Sequence, residues 1–307
     1  MKHIIIALDW TANTNHTGFF VAQANGFYKE NGLEVTLRSP AEDNYAMTPA
    51  KLVLEDKAQF AIAPSESVIA YNTQKEVHLI ATAAILQHDA SAIVSLKNSG
   101  IQRMADLAGK KYASYDARFE DTIVAEMVKK DGGKEPHIKI TPEKLGIWDT
   151  LLAGKADATW VFMPWEGIMA HHEGIELNSF SLDEFEIPYG YSPVLLAKNH
   201  YLEDNHEIAK NFHLATAKGF EWAAENPVDS AKILQKSAAP EDSKNLEFLI
   251  ESQKAINTYY LDSNTNWGSM QADRWSDFTQ WLLAHKLLSQ EELLTLNTKK
   301  LFSNQYV

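Results

Sequence analysis

The strongest constraint on the fold is a rhythm: short runs rich in β-branched and aliphatic residues alternate with helix-compatible segments along the first two thirds of the chain. HIIIAL (residues 3–8), LEVTLR (33–38), QFAIA (59–63) and VHLIATAAI (77–85) read as strands by residue type or by a period of two. Between them, residues 17–24 suit a helix stopped by Gly26, and residues 49–57 suit one capped by Thr48 with Pro49 in its first turn. A further helix opens at PSES (64–67). Strands separated by helices in this way predict a mostly parallel sheet covered by helices.

From Ala92 the rhythm begins again. AIVSL (92–96), KYAS (111–114), HIKI (137–140) and ATWVF (158–162) are strand candidates. Helices are expected around 104–107, 122–128 and 145–152, and from near Pro164. YSPVLLAK (191–198) is one more strand, after which the chain turns helical, with Ile208, Phe212, Ala215 and Trp222 on one face and Trp275, Phe278 and Leu282 on another. At 307 residues and 45% hydrophobic composition, two compact lobes are expected in place of a single core. Helices with no sheet of their own most simply return to the first lobe. The expected division is therefore residues 1–88 plus 189–307 in lobe one and 89–188 in lobe two, with two interlobe crossovers acting as a hinge.

Composition closes several routes. Lys+Arg 28 against Asp+Glu 41 leaves a net charge of −13, which repels phosphate backbones and anionic membranes, so nucleic acid is not an expected partner. With no cysteine, thiol nucleophiles, disulfides and cysteine-ligated metals are excluded. No run approaches the roughly 18 apolar residues of a membrane span, so no membrane insertion is expected. The amino terminus enters a strand directly, which reads as cytoplasmic as written; a leader preceding these residues would make the location periplasmic or extracellular. G-x-S-x-G, Walker and G-x-G-x-x-G motifs do not occur, so no catalytic residue, cofactor or metal ligand is assigned from motifs. His171 and His172 lack a metal-ligand spacing, and His200, His206 and His213 read as surface residues.

Ligands in open α/β sheets bind at the carboxyl ends of the strands. Three sets of loops meet that description. LDWTANTNHTGFFVA (8–22) offers Asp9, Trp10, Asn13 and His16. PSES offers Ser65, a candidate helix cap, and Glu66 in the first helical turn, where the helix dipole favours a carboxylate. SYDARFED (114–121) and MPWEG (163–167) offer Tyr115, Asp116, Trp165 and Glu166, and the return crossover adds Tyr189 and Tyr191. Flat apolar rings interleaved with hydrogen-bonding groups suit a small heterocycle. Each of these residues also has a purely structural role open to it: aromatics at strand ends are usually core, and Ser65 with Glu66 can be no more than a helix start.

The segment LDWTANTNHTGFFVAQANGFYKENGLEV (8–35), with its "DW…NTNHTG" and "GFYKENGLEV", resembles the start of the periplasmic-binding-protein-like family that includes bacterial formylaminopyrimidine-binding proteins and fungal thiamine-pyrimidine synthases. The order of elements fits over nearly the whole chain. The resemblance implies a two-lobed, type II binding-protein fold and one of two activities. In the binding proteins an aminopyrimidine is held between the lobes by aromatic and carboxylate groups and passed to an ABC transporter permease. In the synthases a pyridoxal phosphate on a lysine is consumed together with a histidine of the same chain.

The synthase reading implies a lysine and a histidine at the end of the third strand and the start of the next helix. Here those positions are Ala63 and Ser67. Without an amine there is no Schiff base. Where the synthases carry a glycine-containing phosphate loop, this chain has SYDARFED, whose Asp116, Glu120 and Asp121 disfavour a phosphate. The expected function is hence binding of a neutral or cationic aminopyrimidine-like ligand without a cofactor, and the alternative is a divergent pyridoxal-phosphate-consuming synthase.

Overall fold

The computed structural model describes residues 1–237, 245–264 and 266–307. The chain divides into two compact units: Met1–Asp89, Gly190–Asp273 and Ser289–Val307 form the first, and Ala90–Tyr189 with Arg274–Leu288 the second. In chain order the first unit opens with β1 (Lys2–Ala7), α1 (Thr17–Ala24), α2 (Phe27–Glu30), β2 (Leu33–Arg38), α3 (Pro49–Leu54), β3 (Phe60–Ala63), α4 (Ser65–Asn72) and β4 (Leu79–Ala84). The second contains β5 (Ser91–Leu96), β6 (Lys111–Ala113), α5 (Glu120–Lys130), β7 (Ile138–Ile140), α6 (Ile147–Leu152), β8 (Ala158–Phe162), α7 (Ile168–His172) and β9 (Leu177–Phe180). There follow β10 (Val194–Lys198), α8 (Asn199–Asp204), α9 (His206–Glu225), α10 (Pro227–Gln235), α11 (Leu246–Tyr260), α12 (Ala272–Ala284) and α13 (Gln290–Asn297). Among the described residues no helix is long and apolar enough to cross a membrane.

Each unit has a five-stranded sheet. The first runs β2-β1-β3-β10-β4, with β1 parallel to both β2 and β3, and β10 antiparallel to its neighbours. The second runs β7-β6-β8-β5-β9, with β6 parallel to β7 and β8, and β5 antiparallel to its neighbours. In both sheets the antiparallel member is the strand that follows a passage from the other unit. Every residue of β3, inside the sheet, and of β4, at its end, is buried, which is why neither reads as an alternation of apolar and polar residues.

Local signals account for several boundaries. Thr48 caps α3 by accepting from the Lys51 amide, with Pro49 in the first turn. Gly26, at φ 80°, adopts the left-handed conformation that turns the chain out of α1. Two expectations shift. Ser65 is the first residue of α4 and not its cap, a position held by Pro64. The helix expected near Pro164 begins as one wide π-type turn at Met163–Gly167 before α7.

The expectation that residues 189–307 stay together omits an excursion: Arg274–Leu288 groups with the second unit. Phe278 of α12 packs edge-on against Tyr189, with centroids 5.2 Å apart. The amphipathic pattern of α12 shows that it has a buried face, but not which partner that face meets.

Helix α1 leads away from the loop after β1, so its seat on α9 helps to position that loop. The two helices touch at glycines: a Cβ on Gly219 would lie 2.1 Å from the Gly18 carbonyl oxygen and 2.9 Å from Ala22 Cβ. Phe19 and Phe220 pack edge-to-face beside this contact, and the Tyr28 hydroxyl meets that of Thr216 at 3.0 Å. Gly219→Ala must force the helix backbones apart, with an expected cost of about 1 to 3 kcal/mol, visible as a lower Tm.

His213, expected at the surface, is fully buried on α9 between Phe60, Phe212 and Tyr306. Its polar side chain gave no hint that it shares the buried stripe with Ala209, Phe212 and Thr216. Its Nδ1 donates to the Ala209 carbonyl at 2.7 Å, and burial pushes its pKa down from 6.5 to about 4. As pH falls through that interval the unfolded chain takes up a proton that the native ring refuses, so stability is lost on the acid side. Urea unfolding at about pH 7 and about pH 4.5 should show about 2 to 3 kcal/mol less acid destabilisation in His213→Phe than in the parent.

Candidate functional site

The carboxyl ends of β1 and β3 are adjacent because these strands are parallel neighbours, with Ala7 paired to Ala61. The start of antiparallel β10 comes to the same end, with Val194 opposite Ala63. One edge of the first sheet thereby gathers Asp9, Trp10, Asn13, His16, Ser65, Glu66 and Tyr191.

His16 organises the loop after β1. It is fully buried, and its Nε2 lies 2.7 Å from Asp9 Oδ1. The Asn13 amide donates to His16 Nδ1 at 3.3 Å. An amide N–H only donates, so Nδ1 is the bare nitrogen and the ring proton sits on Nε2, directed at Asp9. Asn13 completes the reciprocal cap by accepting from the Asn15 amide at 2.9 Å. Helix α11 grips the same loop: Ser252 meets the Thr14 hydroxyl at 2.8 Å, the Thr17 hydroxyl donates to Gln253 at 2.7 Å, and the Tyr260 hydroxyl donates to the Thr14 carbonyl. His16 and Asn13 are thus holders of the loop. Asp9 and Trp10, which they hold, are only partly buried.

Tyr45 was not among the sequence candidates. Its hydroxyl donates to the Asp9 carbonyl at 2.6 Å, and its ring lies 6.1 Å from that of Trp10 at an angle of 55°. Burial and the nearby Asp9 charge raise its pKa, which keeps the phenol protonated as a donor. It follows β2 after Asn44, and both residues have positive φ, 51° and 58°.

Ser65 and Tyr191 tie two strand ends together. The Ser65 amide donates to the Tyr191 carbonyl at 2.8 Å, and the Tyr191 amide donates to Ser65 Oγ at 3.0 Å. The Tyr191 hydroxyl accepts from the Gln271 amide at 2.8 Å, and its ring is buried. Glu66 is buried in the first turn of α4, where the exposed amide ends of the helix favour a carboxylate.

In the second unit, parallel β6 and β8 bring their ends together, with Ala113 opposite Thr159. Tyr115 and Asp116 follow β6, and Trp165 and Glu166 lie in the wide turn after β8. Asp116 has φ 63° and is paired with Lys139, which also meets Asp121 at 2.7 Å. These two carboxylates hold the Lys139 ammonium above its ordinary range. Trp165 is buried, and Glu166 Oε2 accepts from the Phe162 amide at 3.1 Å. Tyr189 packs against Trp160, with centroids 5.3 Å apart, as well as against Phe278. Glu120 accepts from the Tyr112 hydroxyl and from two loop amides, and burial raises its pKa against these bonds.

Two sheets of like order, each completed by a strand from beyond a crossover, place the chain in the type II periplasmic-binding-protein fold. The alkanesulfonate-binding protein SsuA of Xanthomonas axonopodis pv. citri shares that fold, with a TM-score of 0.68 at 13% identity over 95% of this chain and 96% of that one. Within this class the chain belongs to the NMT1/THI5-like family, whose model matches residues 13–230. A formylaminopyrimidine-binding protein from Halalkalibacterium halodurans is 24% identical over 94% of this chain and 87% of its own length. A 4-amino-5-hydroxymethyl-2-methylpyrimidine phosphate synthase from Legionella pneumophila is 20% identical over 76% of this chain and 73% of its own.

Tyr45→Phe removes a single buried hydroxyl that fixes the Asp9 backbone. Thermal or urea unfolding should register a loss of about 1 kcal/mol with the fold unchanged.

Proposed function

We propose that this chain is a solute-binding protein for an aminopyrimidine-like small molecule, delivered to an ABC-type permease outside the cytoplasm. The observation that carries this reading is the pair Asp9 and Trp10: a carboxylate with one oxygen fixed by a buried imidazole, next to a partly exposed indole braced by Tyr45. An amino-substituted aromatic ring needs a flat apolar partner for its face and an acceptor for its N–H groups, and these two residues supply both. Buried Glu66, at the neighbouring strand end, adds a second acceptor. In the second unit Tyr115, Asp116, Trp165, Glu166 and Tyr189 form a further set of candidate ligand contacts, whereas Ser65, Asn13, His16 and Tyr191 act by positioning. Similarity to the formylaminopyrimidine-binding protein over nearly the full length of both chains supports the ligand class.

The synthase relative supports a second reading, in which the chain carries out pyridoxal-phosphate chemistry. Against it, neither β3 (FAIA) nor α4 (SESVIAYN) contains a lysine or a histidine, and the positions implied for them are the buried Ala63 and the helical Ser67. A Schiff base needs the amine.

Calorimetry with a formylaminopyrimidine tests the binding reading. Trp10→Ala and Glu66→Gln should each weaken binding by about 1 to 3 kcal/mol through lost stacking or a lost charged hydrogen bond. Unchanged affinity in both variants would remove these residues from the site. In parallel, an aldimine absorbance on adding pyridoxal phosphate, abolished by changing one lysine, would transfer the assignment to the enzyme.

A further inference from the structure

The sequence contains the dipeptide Asn–Gly twice, at residues 25–26 and 31–32. In this dipeptide the glycine nitrogen, with no Cβ beside it, can attack the asparagine side-chain carbonyl carbon and close a five-membered imide. The two copies have nearly the same backbone. Asn25 ends α1 at φ −83° and ψ −1°, Asn31 ends α2 at φ −95° and ψ 16°, and the glycines follow at φ 80° and 72°. A Cβ on either glycine would meet open space, so neither is packed against a neighbour.

Hydrogen bonding separates them. Asn31 Nδ2 donates to the Phe27 carbonyl at 2.8 Å, which ties the side chain back to α2, and the Gly32 amide donates to the Lys29 carbonyl at 3.0 Å. Asn25 is exposed, and among the described residues its side-chain amide has no hydrogen-bond partner. The Gly26 amide reaches the Gln23 carbonyl only at 3.3 Å. The two glycine carbonyls are matched, each accepting one amide, from Glu30 and from Lys2. Ring closure at Asn31 therefore breaks a side-chain bond and a good amide bond, whereas closure at Asn25 gives up one long amide bond.

We propose that Asn25 is a site of spontaneous covalent modification, deamidation through a cyclic imide, and that the fold protects Asn31 from the same reaction. The Gly26 nitrogen gives its proton to hydroxide and bonds to Asn25 Cγ, and the side-chain nitrogen leaves as ammonia after taking a proton from water. Water then opens the imide. Breaking the Cγ–N bond leaves aspartate, and breaking the bond from the Asn25 backbone carbonyl carbon to that nitrogen leaves isoaspartate, with nothing oxidised or reduced. Either product adds a negative charge at the carboxyl end of α1, where the exposed carbonyls of the helix oppose it. Isoaspartate also adds a backbone methylene to the turn that leads from α1 into α2.

The test ages the full chain at mildly alkaline pH, folded and in urea, and follows both sites by tryptic peptide mapping with mass spectrometry. Cleavage after Lys2, Lys29 and Arg38 puts Asn25 in the peptide 3–29 and Asn31 in the peptide 30–38, and fragmentation distinguishes Asn25 from Asn13 and Asn15. In the folded protein Asn25 should convert about tenfold faster than Asn31, the factor set by the extra hydrogen bonding that must first be broken at Asn31. In urea the two rates should converge, because the dipeptides are then alike. On isoelectric focusing the early acidic form should disappear in Asn25→Gln, whose longer side chain cannot close the five-membered ring, and persist in Asn31→Gln. Equal rates in the folded protein, a faster Asn31, or a ratio that urea leaves unchanged overturns the proposal. So does a folded chain in which Asn25 stays intact while the unfolded chain reacts, or an acidic form that builds up in Asn25→Gln at the parent's rate.

Discussion

One buried imidazole sets the first unit's strand-end face. The usual reciprocal cap has glutamate or glutamine where this loop has His16, and the difference follows from the neighbour. A glutamate there would satisfy the Asn13 amide but set a second carboxylate against Asp9, in a setting too dry to screen the repulsion. A glutamine could accept and donate, but only from the single amide group at its tip. Imidazole places an acceptor and a donor on opposite sides of a rigid ring, so one side chain takes the Asn13 proton and offers its own to Asp9. Trp10 follows directly in the chain, and its placement inherits that rigidity.

The second unit solves the related problem of a buried carboxylate by other means. Glu120 is held by amides and a phenol, and no cation is needed at its carboxylate. Tyr112 contributes because burial and the adjacent charge push its pKa well above the ordinary phenol value, so it remains a donor. Each unit therefore turns a fixed, hydrogen-bonded carboxylate toward its strand-end loops, Asp9 in one and Glu120 in the other.

What the sequence revealed, and what it hid, divides along the range of the interactions. The α1 boundary was legible because Gly26 is a local stop, and the α3 cap because Thr48 and Pro49 signal it within two residues. Asp9 with His16 was visible as a cluster because only seven positions separate them. The bond between Ser65 and Tyr191 spans 126 positions, and nothing in either neighbourhood marks it; Ser65 consequently looked like a cap. Tyr45 lay hidden in a polar stretch, where only the positive φ of Asn44 and Tyr45 folds the phenol back over Asp9. α12 was misplaced because an amphipathic pattern identifies a buried face but leaves open what covers it, whereas His213 reads as surface because its side chain is polar.

The family holds both binding proteins and synthases on one fold, so the distinction must lie in side chains at fixed backbone positions. In this chain the end of β3 is a poor place for an amine. Ala63 pairs with Val194 and is buried, and all four residues of the strand are enclosed. A lysine ammonium there would lose its hydration and require either a carboxylate partner or covalent capture of its nitrogen. Buried Glu66, in the first turn of α4, brings negative charge to this strand end, but in a setting built around a small alanine. Gaining a Schiff-base lysine would thus mean rebuilding the packing of β3 against β10 as well as supplying the amine.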